Sequence, residues 1–208
     1  DDFSKSGSIA ELTNWNIYSP VWAPVSLEGE WLKLQDKDPF DYAKVERKIP
    51  ASKELKVSFD LSAGQNDKGI LQIDFLAENS IACSRLELTP DGIFRMKGGS
   101  RFANMMNYEA GKTYHVEAVL STADRNIQVY VDGKRVGLRM FYAPVTTIER
   151  IVFRTGEMRT FPTVDTPADQ TYDLPDAGGQ EPLAEYRIAN VKTSSTDKDA
   201  SSAFLKYA

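Results

Sequence analysis

The acidic side chains are the first residues to test for chemistry, because glycoside hydrolysis uses two carboxylates that face each other across a glycosidic bond. In a retaining glycosidase the two groups lie about 5 Å apart, and two alternate residues of one strand share a face. Asp74 and Glu78 come nearest to such a pair, but they lie four positions apart. The other strand glutamates are isolated: Glu46, Glu87, Glu109, Glu117 and Glu149. The sequence therefore contains no obvious catalytic pair on one strand.

The only histidine, His115, follows Tyr114 at the start of a predicted strand. A tyrosine and a basic residue on one surface could carry out the proton transfers of a polysaccharide lyase. Adjacent residues of a strand point to opposite faces, so this pair cannot line one groove. The only cysteine, Cys83, permits neither an intrachain disulfide nor a cysteine-based metal site, and we expect it to be a buried apolar residue.

Aromatic and arginine side chains are the candidates for binding, because sugar rings stack on aromatic faces and arginine holds carboxylates through paired hydrogen bonds. Trp22 lies between Pro20 and Pro24 and is expected near the surface. The predicted carbohydrate-binding residues are Trp22, Tyr142, Arg154, Arg159 and Phe161, with Tyr18 and Phe141 as further candidates. Trp15 and Trp31 are expected in the core instead.

Arg154 and Arg159 lead into residues 156–182, a proline-rich and acidic segment that cannot form a central strand. If this segment folds over a sheet, the two guanidinium groups could meet an acidic glycan. Alternatively, they pair with Asp165, Asp169 or Asp173 and hold the segment in place. The sequence leaves both interpretations open, with a slight preference for the second.

The elements that must position these residues are strands. Residues 126–136 (NIQVYVDGKRV) alternate apolar and polar positions and then turn at Asp132-Gly133, which predicts a β-hairpin. About nine further segments show the same period of two. They are residues 30–34, 42–49, 55–61, 71–75, 85–89, 93–96, 115–120, 148–154 and 186–192. This spacing predicts an all-β antiparallel two-sheet sandwich with little helix.

The length of 208 residues fits one domain, predicted over residues 1–193, with residues 194–208 as a linker or tail. A net charge of −5 without a basic stripe argues against nucleic acid as a partner. No apolar run is long enough for a membrane span. The chain begins at Asp1, so we expect that a signal segment was removed or that this is one piece of a longer polypeptide.

Several short motifs, in their order along the chain, resemble concanavalin A-like lectin/glucanase (laminin G-like) jelly-roll domains. They are Asp1-Asp2-Phe3-Ser4, Trp15, residues 29–36 (GEWLKLQD), residues 47–50 (RKIP), residues 108–117 (YEAGKTYHVE), residues 127–134 (IQVYVDGK) and residues 186–192 (YRIANVK). The resemblance implies a sheet whose concave face meets a glycan, in a domain of the kind found in bacterial carbohydrate-active enzymes. It also implies a structural calcium ion between the two chain ends, with Asp1, Asp2 and Asn190 as donors.

The resemblance and the missing carboxylate pair together predict a noncatalytic, glycan-binding or accessory domain of a larger carbohydrate-active enzyme. Its partners would be a polysaccharide or oligosaccharide and other domains of the same polypeptide. Its location would be secreted, periplasmic or at the cell surface. A glycoside hydrolase or polysaccharide lyase with catalytic groups on separate strands is one alternative, and a noncatalytic structural spacer is another.

Overall fold

The computed structural model describes residues 1–39, 41–156 and 180–195. Two short 3-10 turns, Phe3–Lys5 and Ile9–Glu11, precede the strands. The strands are β1 Trp15–Tyr18, β2 Val25–Glu28, β3 Trp31–Asp36, β4 Lys44–Ser52, β5 Glu54–Ala63, β6 Leu71–Leu76, β7 Ala82–Leu88, β8 Ile93–Gly98, β9 Arg101–Asn107, β10 Thr113–Ser121, β11 Asn126–Val131, β12 Lys134–Met140, β13 Ile148–Thr155 and β14 Ala184–Ser195. The expected all-β class is confirmed.

The strands form two antiparallel sheets of seven strands each. The first sheet has the order β1-β4-β13-β6-β7-β8-β9, and the second has the order β12-β11-β10-β5-β14-β3-β2. The predicted hairpin is β11–β12, and both Asp132 (φ 50°) and Gly133 (φ 78°) adopt the positive φ that its tight turn requires. The expected two-sheet sandwich is therefore confirmed.

The core lies between the inner faces of the two sheets, as the period of two predicts. An aromatic chain crosses it: the ring centroids are 5.5 Å apart for Phe3 and Trp15, 6.4 Å for Trp15 and Phe153, and 5.1 Å for Phe59 and Phe153. Trp15 is buried as expected. The expectation that Trp31 lies in the core is wrong. The neighbouring Leu32 is buried on the inner face of the sheet, so Trp31 lies partly exposed on the outer face.

Three of the four edge strands do not stand out in the sequence. β1 and β9 are the edges of the first sheet, and β2 is one edge of the second. An edge strand pairs on one side only and buries less of each face, so its alternation of apolar and polar residues is weak. At the chain end, β14 continues to Ser195, two residues beyond the predicted domain boundary. The boundary itself stays a prediction, because residues 196–208 lie outside the described residues.

Candidate functional site

The outer face of the first sheet carries two rows of aligned side chains that cross all seven strands. Strand pairing places one residue of each strand opposite the next, so every row runs perpendicular to the strands. The first row is Tyr18, Lys44, Arg154, Gln72, Glu87, Arg95 and Asn104. The second row is Asn16, Glu46, Val152, Asp74, Arg85, Lys97 and Phe102. Twelve of these fourteen side chains carry a polar group, so this surface differs fundamentally from the core face beneath it.

The rows have the length of an extended ligand. Six inter-strand spacings separate β1 from β9, and at about 4.8 Å each they add up to about 29 Å. An elongated chain could therefore contact one side chain from each strand in turn.

The centre of the second row is an ion pair between neighbouring strands. The Arg85 guanidinium donates from Nε and Nη2 to the two carboxylate oxygens of Asp74, at 2.7 and 2.9 Å. The two side chains are only 11% and 13% exposed. Burial, the largest single effect, lowers the pKa of Arg85, but the hydrogen bonds to Asp74 and the attraction of nearby negative charge, mainly that of Asp74, together outweigh it and leave that pKa raised. The pair fixes both side chains in one orientation on the face.

The centre of the first row is a second network, around Glu87. Gln72 donates from Nε2 to Glu87 Oε1 at 3.0 Å, and Arg95 donates from Nε to Glu87 Oε2 at 2.8 Å. Gln72 is only 5% exposed. Its Oε1 is also buried and accepts no hydrogen bond from any of the described residues. Buried acceptors are normally satisfied, so a ligand hydroxyl that reached Oε1 would supply a missing hydrogen bond.

Aromatic rings flank the rows on the side of β8 and β9. The Lys97 ammonium lies 4.5 Å from the centroid of the Tyr142 ring, and the Arg95 guanidinium lies 4.3 Å from that of Phe102. Burial, followed by the nearby Asp74 carboxylate, raises the pKa of the Tyr142 phenol. Tyr142 is thus a neutral hydrogen-bond donor and acceptor beside the second row.

A second aromatic group flanks the rows on the side of β1 and β4. The Arg154 guanidinium stacks on Tyr42, 3.9 Å from its centroid, and Tyr42 packs against Tyr18 at 5.3 Å. The Tyr18 hydroxyl donates to Asp41 Oδ2 at 2.9 Å, and this hydrogen bond is the main reason why its pKa is raised. Aromatic surfaces therefore lie at both sides of the rows, where sugar rings could stack.

The predicted binding residues are distributed unevenly over the molecule. Tyr142 and Arg154 lie on the outer face of the first sheet, at opposite sides of the rows. Trp22 is half-buried between β1 and β2, where its carbonyl accepts a hydrogen bond from the Lys37 amide. No described ring contact, ion pair or side-chain hydrogen bond links Trp22 to the rows. Phe141, a secondary candidate for binding, is buried in the core at 9% exposure and therefore offers little surface on which a sugar ring could stack.

Arg159 and Phe161 lie outside the described residues, and their assignment stays a prediction. Sequence reasoning did not propose six residues of the rows for binding: Gln72, Asp74, Arg85, Glu87, Lys97 and Phe102. A signal exists for all of them except Phe102, because Gln72 with Asp74, Arg85 with Glu87, and Arg95 with Lys97 are the polar alternate positions of three consecutive strands.

Three carboxylates from separate strands, Glu46, Asp74 and Glu87, lie on the same outer face. Each already binds a cation of the protein. Lys44 lies 3.3 Å from Glu46, and the pairs of Asp74 and Glu87 with their arginines are described above. Proton transfer to a substrate would require breaking such a pair, so the arrangement favours recognition over acid–base chemistry.

The proposed calcium donors make other contacts. Asp2 Oδ1 accepts hydrogen bonds from the Ser4 amide and hydroxyl, and its Oδ2 lies 3.3 Å from Lys5 Nζ. Asn190 donates from Nδ2 to Asp60 Oδ2 at 2.7 Å. Among the described residues, no three potential ligands lie together as a metal site would require. These contacts do not favour an ion at the chain ends, and calcium stays an untested prediction.

The fold is a β-sandwich, and a family model defines its class as a carbohydrate-binding domain. The family model described as "Sialidase-like, CBM domain", where CBM denotes a carbohydrate-binding module, matches residues 15–170. The chain therefore belongs to this family. The expectation of a glycan-binding or accessory domain is confirmed at that level. A comparison with curated proteins finds no match. Among the described residues, no helix is long and apolar enough to cross a membrane.

Solved structures agree with the family. A structure named "Sialidase" is 94% identical over the whole of this chain, with a TM-score of 0.91, and this chain spans 20% of its length. A structure from work on endo-acting O-glycanases of the human gut microbiota is 14% identical, with a TM-score of 0.65 over 95% of this chain and 98% of its own. The Crh5 transglycosylase is 11% identical, with a TM-score of 0.66 over 95% of this chain and 83% of its own. The last two show the shared jelly-roll fold alone, which confirms the predicted resemblance.

Proposed function

We propose that this domain holds a glycan chain along the two rows on the outer face of the first sheet and does so without cleaving it. The observation that carries the proposal is the pair of rows itself, which places side chains from seven strands in line. Side chains that are locked to one another before the ligand arrives lose little freedom on binding. Carbohydrate hydroxyls would meet Gln72 Oε1 and the charged groups, while ring faces would stack on Tyr142, Phe102 or Tyr42.

Several residues of this site belong to the proposal on different grounds. Arg154 is included because it stacks on Tyr42 and belongs to the first row. Arg159 and Phe161 remain included because they follow Arg154 in the sequence. Trp22 is retained as a more distant contact, since the rows do not reach it among the described contacts.

The natural setting of the domain is also part of the proposal. The chain matches one fifth of a structure named as a sialidase, which supports an accessory role beside further domains of one polypeptide. A glycan-acting protein of this kind would work outside the cell, in the periplasm or at the cell surface, and a bacterial source fits the resemblance. Nucleic acid is not a partner in this proposal, since the net charge is −5.

The test is binding of the 208-residue chain to a panel of neutral and uronate-containing polysaccharides by isothermal titration calorimetry. Release of reducing sugar and the absorbance of unsaturated uronates are followed in the same samples. The variants are Tyr142→Ala and Gln72→Ala, and the matched control is Trp31→Ala on the outer face of the second sheet. We expect the parent chain to bind at least one glycan without releasing a product. Tyr142→Ala and Gln72→Ala should each lose roughly tenfold in affinity, while Trp31→Ala should bind as the parent does.

Three outcomes would contradict the proposal. Product formation would favour the hydrolase or lyase alternative, with Glu46, Asp74 and Glu87 as the first carboxylates to replace. Equal affinity in all three variants would place the glycan elsewhere. Absence of binding to every glycan would favour a structural spacer.

A further inference from the structure

Five basic residues lie along the strands at one side of the sandwich, on β8 and β9 of the first sheet and on β12 of the second. They are Lys97, Arg101, Lys134, Arg135 and Arg139, and we call them the basic edge. In the part of the chain that the structure describes, none of them forms an ion pair with a carboxylate. Asp132 lies in the adjoining turn, but its Oδ1 accepts a hydrogen bond from the His115 amide. Asp132 keeps its negative charge, so the five basic residues leave an excess of positive charge at this edge in a chain whose net charge is −5.

The basic edge is continuous with the two rows. The first row ends at Asn104, which also lines a cleft of about 350 Å³ together with Arg135 and Arg139 of β12. Arg139 lies directly against β8, since a Cβ added to Gly98 would be 2.8 Å from the Arg139 Cβ. The other residues that line the cleft are Met96, Ala103, Met105, Val136, Gly137 and Leu138. A ligand that leaves the rows at β9 would therefore meet apolar surface as well as the two arginines.

The last residue of the second row adds a surface for stacking. Phe102 is 37% exposed, and Arg95 and Lys97 approach its ring at 4.3 and 6.0 Å. An aromatic ring next to cations offers stacking for a sugar ring and attraction for an acidic substituent at the same place. This combination favours a charged carbohydrate over other anionic polymers.

Charged side chains on an edge strand also prevent unwanted pairing with other strands. Lysine is especially common in that role, so the positive sign alone does not distinguish edge protection from ligand binding. The distinguishing observation is the cleft that Arg135 and Arg139 share with Asn104, because protection of an edge requires no such cleft.

We propose that the glycan path continues from the two rows over β9 onto β12, and that the ligand is a linear glycan with repeated carboxylate or sulfate groups. This inference rests on the proposed function of the outer face. It differs from that function in predicting several acidic groups along one ligand. A single acidic sugar would not reach both the rows and the basic edge.

The test compares long chains with short ones. The 208-residue chain is titrated with polygalacturonate, alginate, chondroitin sulfate and heparin, and with an acidic disaccharide from each. The edge variant is Arg135→Ala with Arg139→Ala. The matched control is Lys33→Ala with Arg187→Ala, which removes the same charge from the outer face of the second sheet.

We expect at least one long chain to bind more tightly than its disaccharide. The edge variant should lose roughly tenfold in affinity for the long chain, show a weaker dependence on salt, and keep its affinity for the disaccharide. The control variant should match the parent. Equal losses of affinity in the edge and control variants would indicate a general effect of net charge. If duplex DNA competed for the chain as well as the glycan does, the attraction would be unspecific. Either result would overturn the inference, as would no binding to any of the four polymers.

Tyr142→Ala separates this inference from the proposed function. If Tyr142→Ala weakens binding of both long and short ligands while the edge variant does not, the rows bind the glycan and only the extension onto β12 is wrong. If Tyr142→Ala has no effect on either ligand, the assignment of the rows fails.

Discussion

Replacement of Asp74 by alanine should strongly destabilise the fold, because it leaves the Arg85 guanidinium in a largely buried position without its carboxylate. The pair joins neighbouring strands through two hydrogen bonds of 2.7 and 2.9 Å. Loss of one partner of a buried pair costs 3–5 kcal/mol, and since 11% and 13% of the two side chains are exposed we expect the lower end, about 3 kcal/mol. For a domain of this size that corresponds to a fall in Tm of roughly 6 to 12 °C.

The control for this prediction is Glu28→Ala. Glu28 lies 3.3 Å from Arg187 and 3.5 Å from Lys33, but half of its side chain is exposed. Exposed pairs contribute little, so this variant should lose less than about 1 kcal/mol. Urea unfolding followed by tryptophan fluorescence measures both variants, with the m-value as a check that the unfolded states are comparable.

The double variant Asp74→Ala with Arg85→Ala completes the cycle. Removal of both partners leaves no uncompensated charge, so its loss of stability should be clearly smaller than the sum of the two single losses. Additive losses, or an Asp74→Ala variant as stable as Glu28→Ala, would refute the view that this pair holds the outer face in one arrangement.

Three further predictions concern the scaffold and its titratable groups. Gly69→Ala should cost about 1–3 kcal/mol more free energy of unfolding than Gly111→Ala in urea unfolding. Both glycines have positive φ, but only at Gly69 would the new Cβ lie 2.4 Å from a neighbour, the Ala184 Cβ. Equal losses in the two variants would contradict this prediction. Burial raises the pKa of the Cys83 thiol to about 12, so mass spectrometry should detect no alkylation at pH 8 in native buffer and full alkylation in urea. Burial raises the pKa of Asp36, so the folded state favours the protonated carboxyl group more than the unfolded state does. The resulting contribution to the free energy of unfolding is present at acidic pH and is lost as the pH rises through the pKa of the folded state. Asp36→Asn should therefore gain stability relative to the parent between acidic and neutral pH, and a difference that is constant with pH would argue against this.

The central strands could be predicted from the sequence because burial imposes a clear pattern on them. β10 and β11 have every second residue buried, and the alternation in the sequence shows it directly. β9 has no such pattern, since none of its residues is fully buried and it pairs on one side only. Trp31 shows the opposite error: a large aromatic residue suggested the core, although the position of Leu32 assigns it to the outer face.

The binding site was predictable in part. Tyr142 and Arg154 could be found because they follow or end predicted strands and carry groups suited to sugars. Gln72 and Glu87 could not be paired in advance, because their contact depends on the register between β6 and β7. Register is a property of two strands together, and a single sequence shows only the alternation within each.

The way in which the charges of the outer face are paired is suited to recognition of a ligand. Asp74 and Glu87 each pair with an arginine of the neighbouring strand, and both are buried enough for those contacts to be strong. Such pairs hold neighbouring groups in place before a ligand arrives, which reduces the entropy lost on binding. The groups that offer further contacts are the Gln72 Oε1 acceptor at the centre of the first row, and the aromatic rings and the basic edge at its margins. A rigid charged centre with such groups on and around it is suited to hold a chain in a defined register.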